Sequence, residues 1–156
     1  MKALLLSITL ATISASALAA KIEVASITPG QIESITTALQ TKVKNKLTAA
    51  AVKEASGVIT DFMKIESCIA GYNASPLNQF AAPGKTYPDM NYIGPMFGMK
   101  YHARDKCLTI TKIHGFEMPA KNALAFEVLF TAEDSGDTTK RYYTVQKQDD
   151  DSWLFK

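Results

Sequence analysis

Apolar residues recur at every third or fourth position in the first part of this chain and at every second position in the last part. That change of period constrains the fold more than any other feature. Ile32, Ile35, Leu39, Val43 and Leu47 form one helical series, and Ala51, Ala55, Val58, Phe62, Ile65, Ile69 and Tyr72 form a second. Each series keeps one face of a helix apolar for several turns. From Cys107 onward the pattern belongs to strands. "CLTITKI" is rich in β-branched residues, and "NALAFEVLF" places Leu124, Phe126, Val128 and Phe130 on one side. "KRYYTVQKQ" places Tyr143 and Val145 on one face, and "SWLFK" closes the chain. The intervening "EMPAKN", "EDSGD" and "QDDD" carry turn chemistry, and such short turns join antiparallel neighbours. Helices followed by a meander predict an α+β domain, with N-terminal helices packed on one face of a curved antiparallel β-meander.

The start of the helical part is sharply marked. Thr28 suits an N-cap, Pro29 the first helical position, and Gln31 the partner position of a capping box. Ile27 and Ile32 have the spacing of a hydrophobic staple. Gly57 lies inside the second series, where it either separates two helices or softens one, and Gly71 suits a C-terminal cap. The predicted helical region is 28–71 and the meander 106–156. Lys42, Lys46 and Lys53 fall side by side and are expected to form a solvated helix face, with anionic envelope lipid as the alternative.

Upstream, MKALLLSITLATISASALAA has one charge at Lys2, an apolar core and small residues at Ala17 and Ala19. This pattern predicts a signal peptide over 1–19, cut before Ala20, with a retained anchor as the alternative. A single domain over 20–156 is expected, exported to the periplasm or secreted. Without Lys2, sixteen basic residues face fifteen acidic ones, a balance that gives no electrostatic footprint for nucleic acid. No stretch after the leader approaches membrane-spanning length. In an oxidising compartment the two cysteines, Cys68 and Cys107, are expected to bridge. Closing a loop of about 40 residues is worth roughly 4 kcal/mol by chain entropy.

The segment 75–101 fits neither period. It holds Pro76, Pro83, Pro88 and Pro95, four of the six prolines, yet it is rich in rings and thioethers. A long irregular segment of this composition is expected to be ordered, with its backbone at the surface. One role is a structural flap whose rings close an open end of the core. The other is a binding lip, for which Tyr87, Tyr92, Met96, Phe97 and Tyr101 are the candidate binding residues.

No catalytic motif is present. His102, Cys107 and His114 lack the spacing of a zinc site, so no metal or other cofactor is expected, and each histidine should lie at the surface or at a loop end. Cys107 has Arg104, Lys106 and His102 close in sequence, but a second cysteine makes pairing simpler than thiol catalysis. The nucleophile elbow, the H-E-x-x-H motif and a phosphate-binding glycine loop are absent. "QDDD" lacks the alternation of a calcium loop and is expected to be a solvated turn.

Helices followed by a meander that ends in an acidic turn and a tryptophan strand, "KRYYTVQKQDDDSWLFK", resemble the nuclear-transport-factor-2-like and cystatin-like families. The resemblance spans roughly residues 45–156 and implies a concave sheet face able to hold a small apolar ligand or a partner. The resulting expectation is a non-catalytic binding or accessory protein, monomeric or homodimeric, for an apolar ligand or a protein partner. The resemblance implies two alternatives. One is an enzyme with Tyr87, Asp89, Tyr92 or His102 as acid–base residues; the other is an inhibitor or interaction module that pairs through its sheet edge.

Overall fold

Thr28 caps the first helix as its sequence dictates. Its hydroxyl accepts from Gln31 N, and its own N donates to Gln31 Oε1 at 2.9 Å, which completes a capping box at the head of α1 (Pro29–Leu39). The computed structural model describes residues 26–70, 75–84 and 93–156. After α1 come α2 (Lys46–Glu66), a 3₁₀ turn (Ser75–Phe80) and four strands: β1 (Thr109–Ala120), β2 (Ala123–Thr131), β3 (Thr138–Lys147) and β4 (Trp153–Phe155). The strands pair antiparallel in the order β1-β2-β3-β4 and form one open sheet. Both helices pack against it, so the architecture is α+β.

The helical period breaks at Gln40–Asn45, inside the series that the spacing runs unbroken from Ile32 to Leu47. Asn45 is the cause. Its side chain accepts from Leu47 N and Thr48 N and starts a new helix. Leu47 therefore leaves the apolar face and is 75% exposed. Gly57 lies within α2 and separates nothing. The helix ends at Glu66 with Ser67 as C-cap, short of the expected Gly71, which lies outside the described residues.

One layer of side chains joins α2 to the sheet. Phe62 stacks on Phe155 with centroids 3.7 Å apart, and meets Tyr143 and Phe80 edge-on at 5.6 and 5.7 Å. Such pairs contribute beyond area burial. Leu124, Phe126, Val128, Phe130, Tyr143 and Val145 all face this core, as their alternation predicts. The buried Glu66 carboxylate accepts from Tyr143 Oη at 2.9 Å, a polar tie inside the aromatic layer.

Strand β1 departs from strict alternation. Its register against β2 shifts between Ile110 and Lys112, so that Ile110 and Ile113 both point inward. A second shift lies between His114 and Glu117, where Gly115 takes a φ of +67°. The opposite face of the sheet carries the ion pairs His114–Glu127 (2.8 Å) and Lys140–Glu127 (3.3 Å).

Cys68 and Cys107 are bonded. The bond lies just beyond the end of α2 and just before β1, and Leu108 N donates to Ser67 O at 2.8 Å beside it. The Cys68→Ser, Cys107→Ser double variant is expected to lower the free energy of urea unfolding by about 2–5 kcal/mol relative to wild type. Phe126→Ala, which empties the aromatic layer, should cost about 3–5 kcal/mol in the same measurement.

Candidate functional site

The lobe formed by residues 93–107 leads into the first strand of the sheet, and it combines buried anchors with exposed rings. Met96 and Met99 are fully buried in the core. Met96 thus falls inside the molecule and not on the lip that the composition suggests. Phe97 is 49% and Tyr101 74% exposed. Tyr87 and Tyr92, the other two candidate binding residues, lie outside the described residues, as does Asp89.

The lobe is held by an arginine of its own and by side chains from later in the chain. Arg104 donates to the carbonyl oxygens of Met96 and Met99, tying two successive turns to one guanidinium. Those turns close on themselves through Phe97 N to Gly94 O and Met99 N to Met96 O, each 3.0 Å. From β3, Arg141 donates to Gly94 O at 3.1 Å. The β2–β3 turn, "EDSGD", then holds three consecutive residues. Tyr101 N donates to Asp137 Oδ2 (3.3 Å), His102 Nδ1 lies 2.7 Å from Asp134 Oδ1, and Ala103 N donates to Asp134 Oδ2 (3.0 Å). The sequence marks that stretch only as a turn; here it is a carboxylate clamp on the lobe.

His102 is a loop-end residue, but it is buried and not on the surface. Its Nε2 lies 3.0 Å from Lys106 O, so both ring nitrogens are engaged by acceptors. This geometry occupies the groups an acid–base role would need. The hydrogen bond from His102, followed by the one from Ala103 N, holds the Asp134 carboxyl down to about 2 from an ordinary 3.8. Tyr101 carries Lys100 Nζ 5.2 Å from its ring centroid, a cation–π contact that orients the exposed ring.

A second recess, of about 1050 Å³, opens between the first turns of α2 and the ends of β1 and β4. Leu47, Met118 and Trp153 line it with Glu54 and Lys147. Glu54 Oε2 accepts from Lys147 Nζ at 2.9 Å and from Trp153 Nε1 at 3.4 Å, and the Lys147 bond is the main cause of the lowered Glu54 pKa. The tryptophan of the closing strand is thus fixed by a carboxylate 99 residues earlier in the chain. The acidic "QDDD" turn is closed by its own Asp150, which accepts from Ser152 N and Oγ at 3.0 and 2.6 Å.

Both sheet edges are partly occupied. Gln31 Nε2 donates to Cys107 O (2.8 Å) just ahead of β1, and Thr41 Oγ1 to Ile113 O (2.9 Å) within it. Ala82 N donates to Phe155 O (2.8 Å) at β4. These bonds use acceptors that an incoming strand would need for edge pairing. Among the described residues no group of three or more histidine, cysteine or carboxylate side chains is placed to hold a metal. No described helix is long and apolar enough to cross a membrane. No family model, curated protein or solved structure matches the chain. Its class is therefore stated by architecture: a disulfide-bonded α+β domain with an open antiparallel sheet.

Because the folded Asp134 carboxyl titrates below its ordinary value, its contribution is complete above about pH 3.8 and is lost as pH falls toward about 2. Melting temperatures measured from pH 5 to pH 2 should fall for the wild type through that window. Asp134→Asn should melt lower at pH 5 and show a shallower acid decline.

Proposed function

We propose that this chain is an exported, non-catalytic binding protein, and that it engages a protein partner through the aromatic lobe around Phe97 and Tyr101. The carrying observation is the division of labour within the lobe. Its methionines are buried, its carbonyls are bonded by Arg104 and Arg141, and its backbone donors are held by Asp134 and Asp137. Phe97 and Tyr101 nevertheless face solvent. A fixed loop that displays large rings has lost its conformational entropy before a partner arrives, so contact with those rings stabilises a complex at little further ordering cost. Tyrosine and phenylalanine supply large contact areas with few rotatable bonds.

Export rests on the leader-like residues 1–19 and agrees with the bonded cysteine pair, which an oxidising compartment preserves. Cleavage near Ala19 would deliver a periplasmic or secreted domain. Placement of the domain among the nuclear-transport-factor-2-like or cystatin-like architectures belongs to the same proposal. It is supported by a long helix laid on an open antiparallel sheet that ends in a tryptophan strand.

The test is differential capture from an envelope extract with the full mature chain immobilised. The Phe97→Ala, Tyr101→Ala double variant should melt within a few degrees of wild type and lose the wild-type partner. Met96→Ala, which removes a core anchor, should lower stability by about 2–5 kcal/mol. If the double variant retains every partner, or melts as early as Met96→Ala, the lobe is not the binding surface.

A further inference from the structure

A groove of about 520 Å³ lies between α1 and α2. Leu39, Val43 and Val52 supply its apolar walls. Polar residues also line it, but their hydroxyls are turned away. Thr36 Oγ1 donates to Ile32 O (3.2 Å), Ser56 Oγ to Lys53 O (2.8 Å) and Thr60 Oγ1 to Ser56 O (2.8 Å). Each hydroxyl is spent on its own helix, so these side chains offer mainly carbon to the groove. The surface is thus more apolar than its residue names suggest.

Gly57 lines the groove. A glycine inside a helix costs about 1 kcal/mol against alanine and generally has a packing reason. Here a Cβ would meet nothing within 4 Å, so no close approach among the described residues accounts for it. What the missing side chain does is leave the groove open.

Charge then distinguishes the two ends. Lys53 lines the groove near Val43 and Ala49, and Lys46 lies one heptad before it on the same stripe of α2. Lys42 and Lys44 flank Val43 in the loop between the helices. None of these four lysines forms an ion pair among the described residues, whereas Lys64, Lys140 and Lys147 all do. The first turn of α2 carries no acidic residue, so the positive end of its helix dipole adds to the lysine charge. At the other end Asp61 is neutralised by Lys64 at 2.9 Å. The groove is an apolar trough with an unneutralised cationic mouth, and its volume falls within the roughly 300–1,000 Å³ typical of small-ligand sites.

We infer that this groove binds a single-chain anionic amphiphile of the fatty-acid class, with its carboxylate at Lys46 and Lys53 and its acyl chain over Gly57. The site is separate from the aromatic lobe and does not rest on the partner-binding proposal.

Isothermal titration of the full mature chain with octanoate, decanoate and laurate, each below its critical micelle concentration, tests it. Affinity should rise about fourfold per added methylene until the trough is filled. Dodecanol should bind at least tenfold more weakly than laurate. Gly57→Leu should abolish laurate binding while melting at or above wild type, since it fills open space and improves helix propensity. Should that variant melt early, the Lys46→Gln, Lys53→Gln pair takes its place, with laurate affinity falling at least tenfold and losing most of its salt dependence. Three results would each overturn the proposal. The first is no laurate binding to wild type, and the second is equal affinity for laurate and dodecanol. The third is a groove covered by something else: phosphatidylglycerol vesicles binding where monomeric laurate does not, or a native-mass dimer that Gly57→Leu dissociates.

Discussion

The junction between α2 and β1 sets the rest of the structure. Ser67 O accepts from Leu108 N, and the adjoining residues Cys68 and Cys107 are covalently bonded. A helix end and a strand start, distant in sequence, are thereby fixed at one point. From that point α2 runs back along the sheet, and Phe62 meets Phe155 while Glu66 meets Tyr143. Neither contact is local. Both depend on the helix leaving the junction at a set angle, and the disulfide removes much of the unfolded chain's freedom to miss it. The bulge in β1 follows from the same constraint. With its first residues pinned to the helix, the strand turns both Ile110 and Ile113 inward by inserting an extra residue.

The lobe shows how one composition can serve two purposes. Methionine is flexible and fills irregular space, and here Met96 and Met99 are core residues. The rings of Phe97 and Tyr101 stay outside, and the charged residues around them act as framework. Arg104 crosses under the turns, and the two aspartates of the β2–β3 connection close over residues 101–103. Met96 and Met99 close the core as a structural flap would, while Phe97 and Tyr101 keep the exposure that the proposed lip requires.

Much of the architecture is legible in the sequence because it rests on local rules. The capping box at Thr28 and the inward row Leu124–Phe130 follow from spacing, and the bonded cysteines are the chain's only two. The break before α2 was less legible. Asn45 caps a helix inside a run of alternating lysines, and the apolar period continues across it without interruption. The clamp on the lobe was not legible at all. Asp134 lies 32 residues from His102 and Asp137 lies 36 from Tyr101, and outside the lobe Glu54 likewise lies 99 from Trp153. Carboxylates in a turn look solvated unless the sheet that brings them to their partners is already known.

The same junction makes residues 69–106 a covalently closed loop, anchored within the core by Leu77, Met96 and Met99. The chain leaves at Cys68 and returns at Cys107, with a backbone hydrogen bond across the neck. A protease that cuts within the loop would produce two pieces that remain one molecule until the disulfide is reduced. The helices and the sheet would stay joined at the neck. In an environment rich in proteases, the segment that carries the exposed rings could then be nicked without shedding either half of the protein. Closure entropy grows only slowly with loop length, so the neck itself tolerates a longer or shorter loop, while Leu77, Met96 and Met99 fix which parts must return to the core.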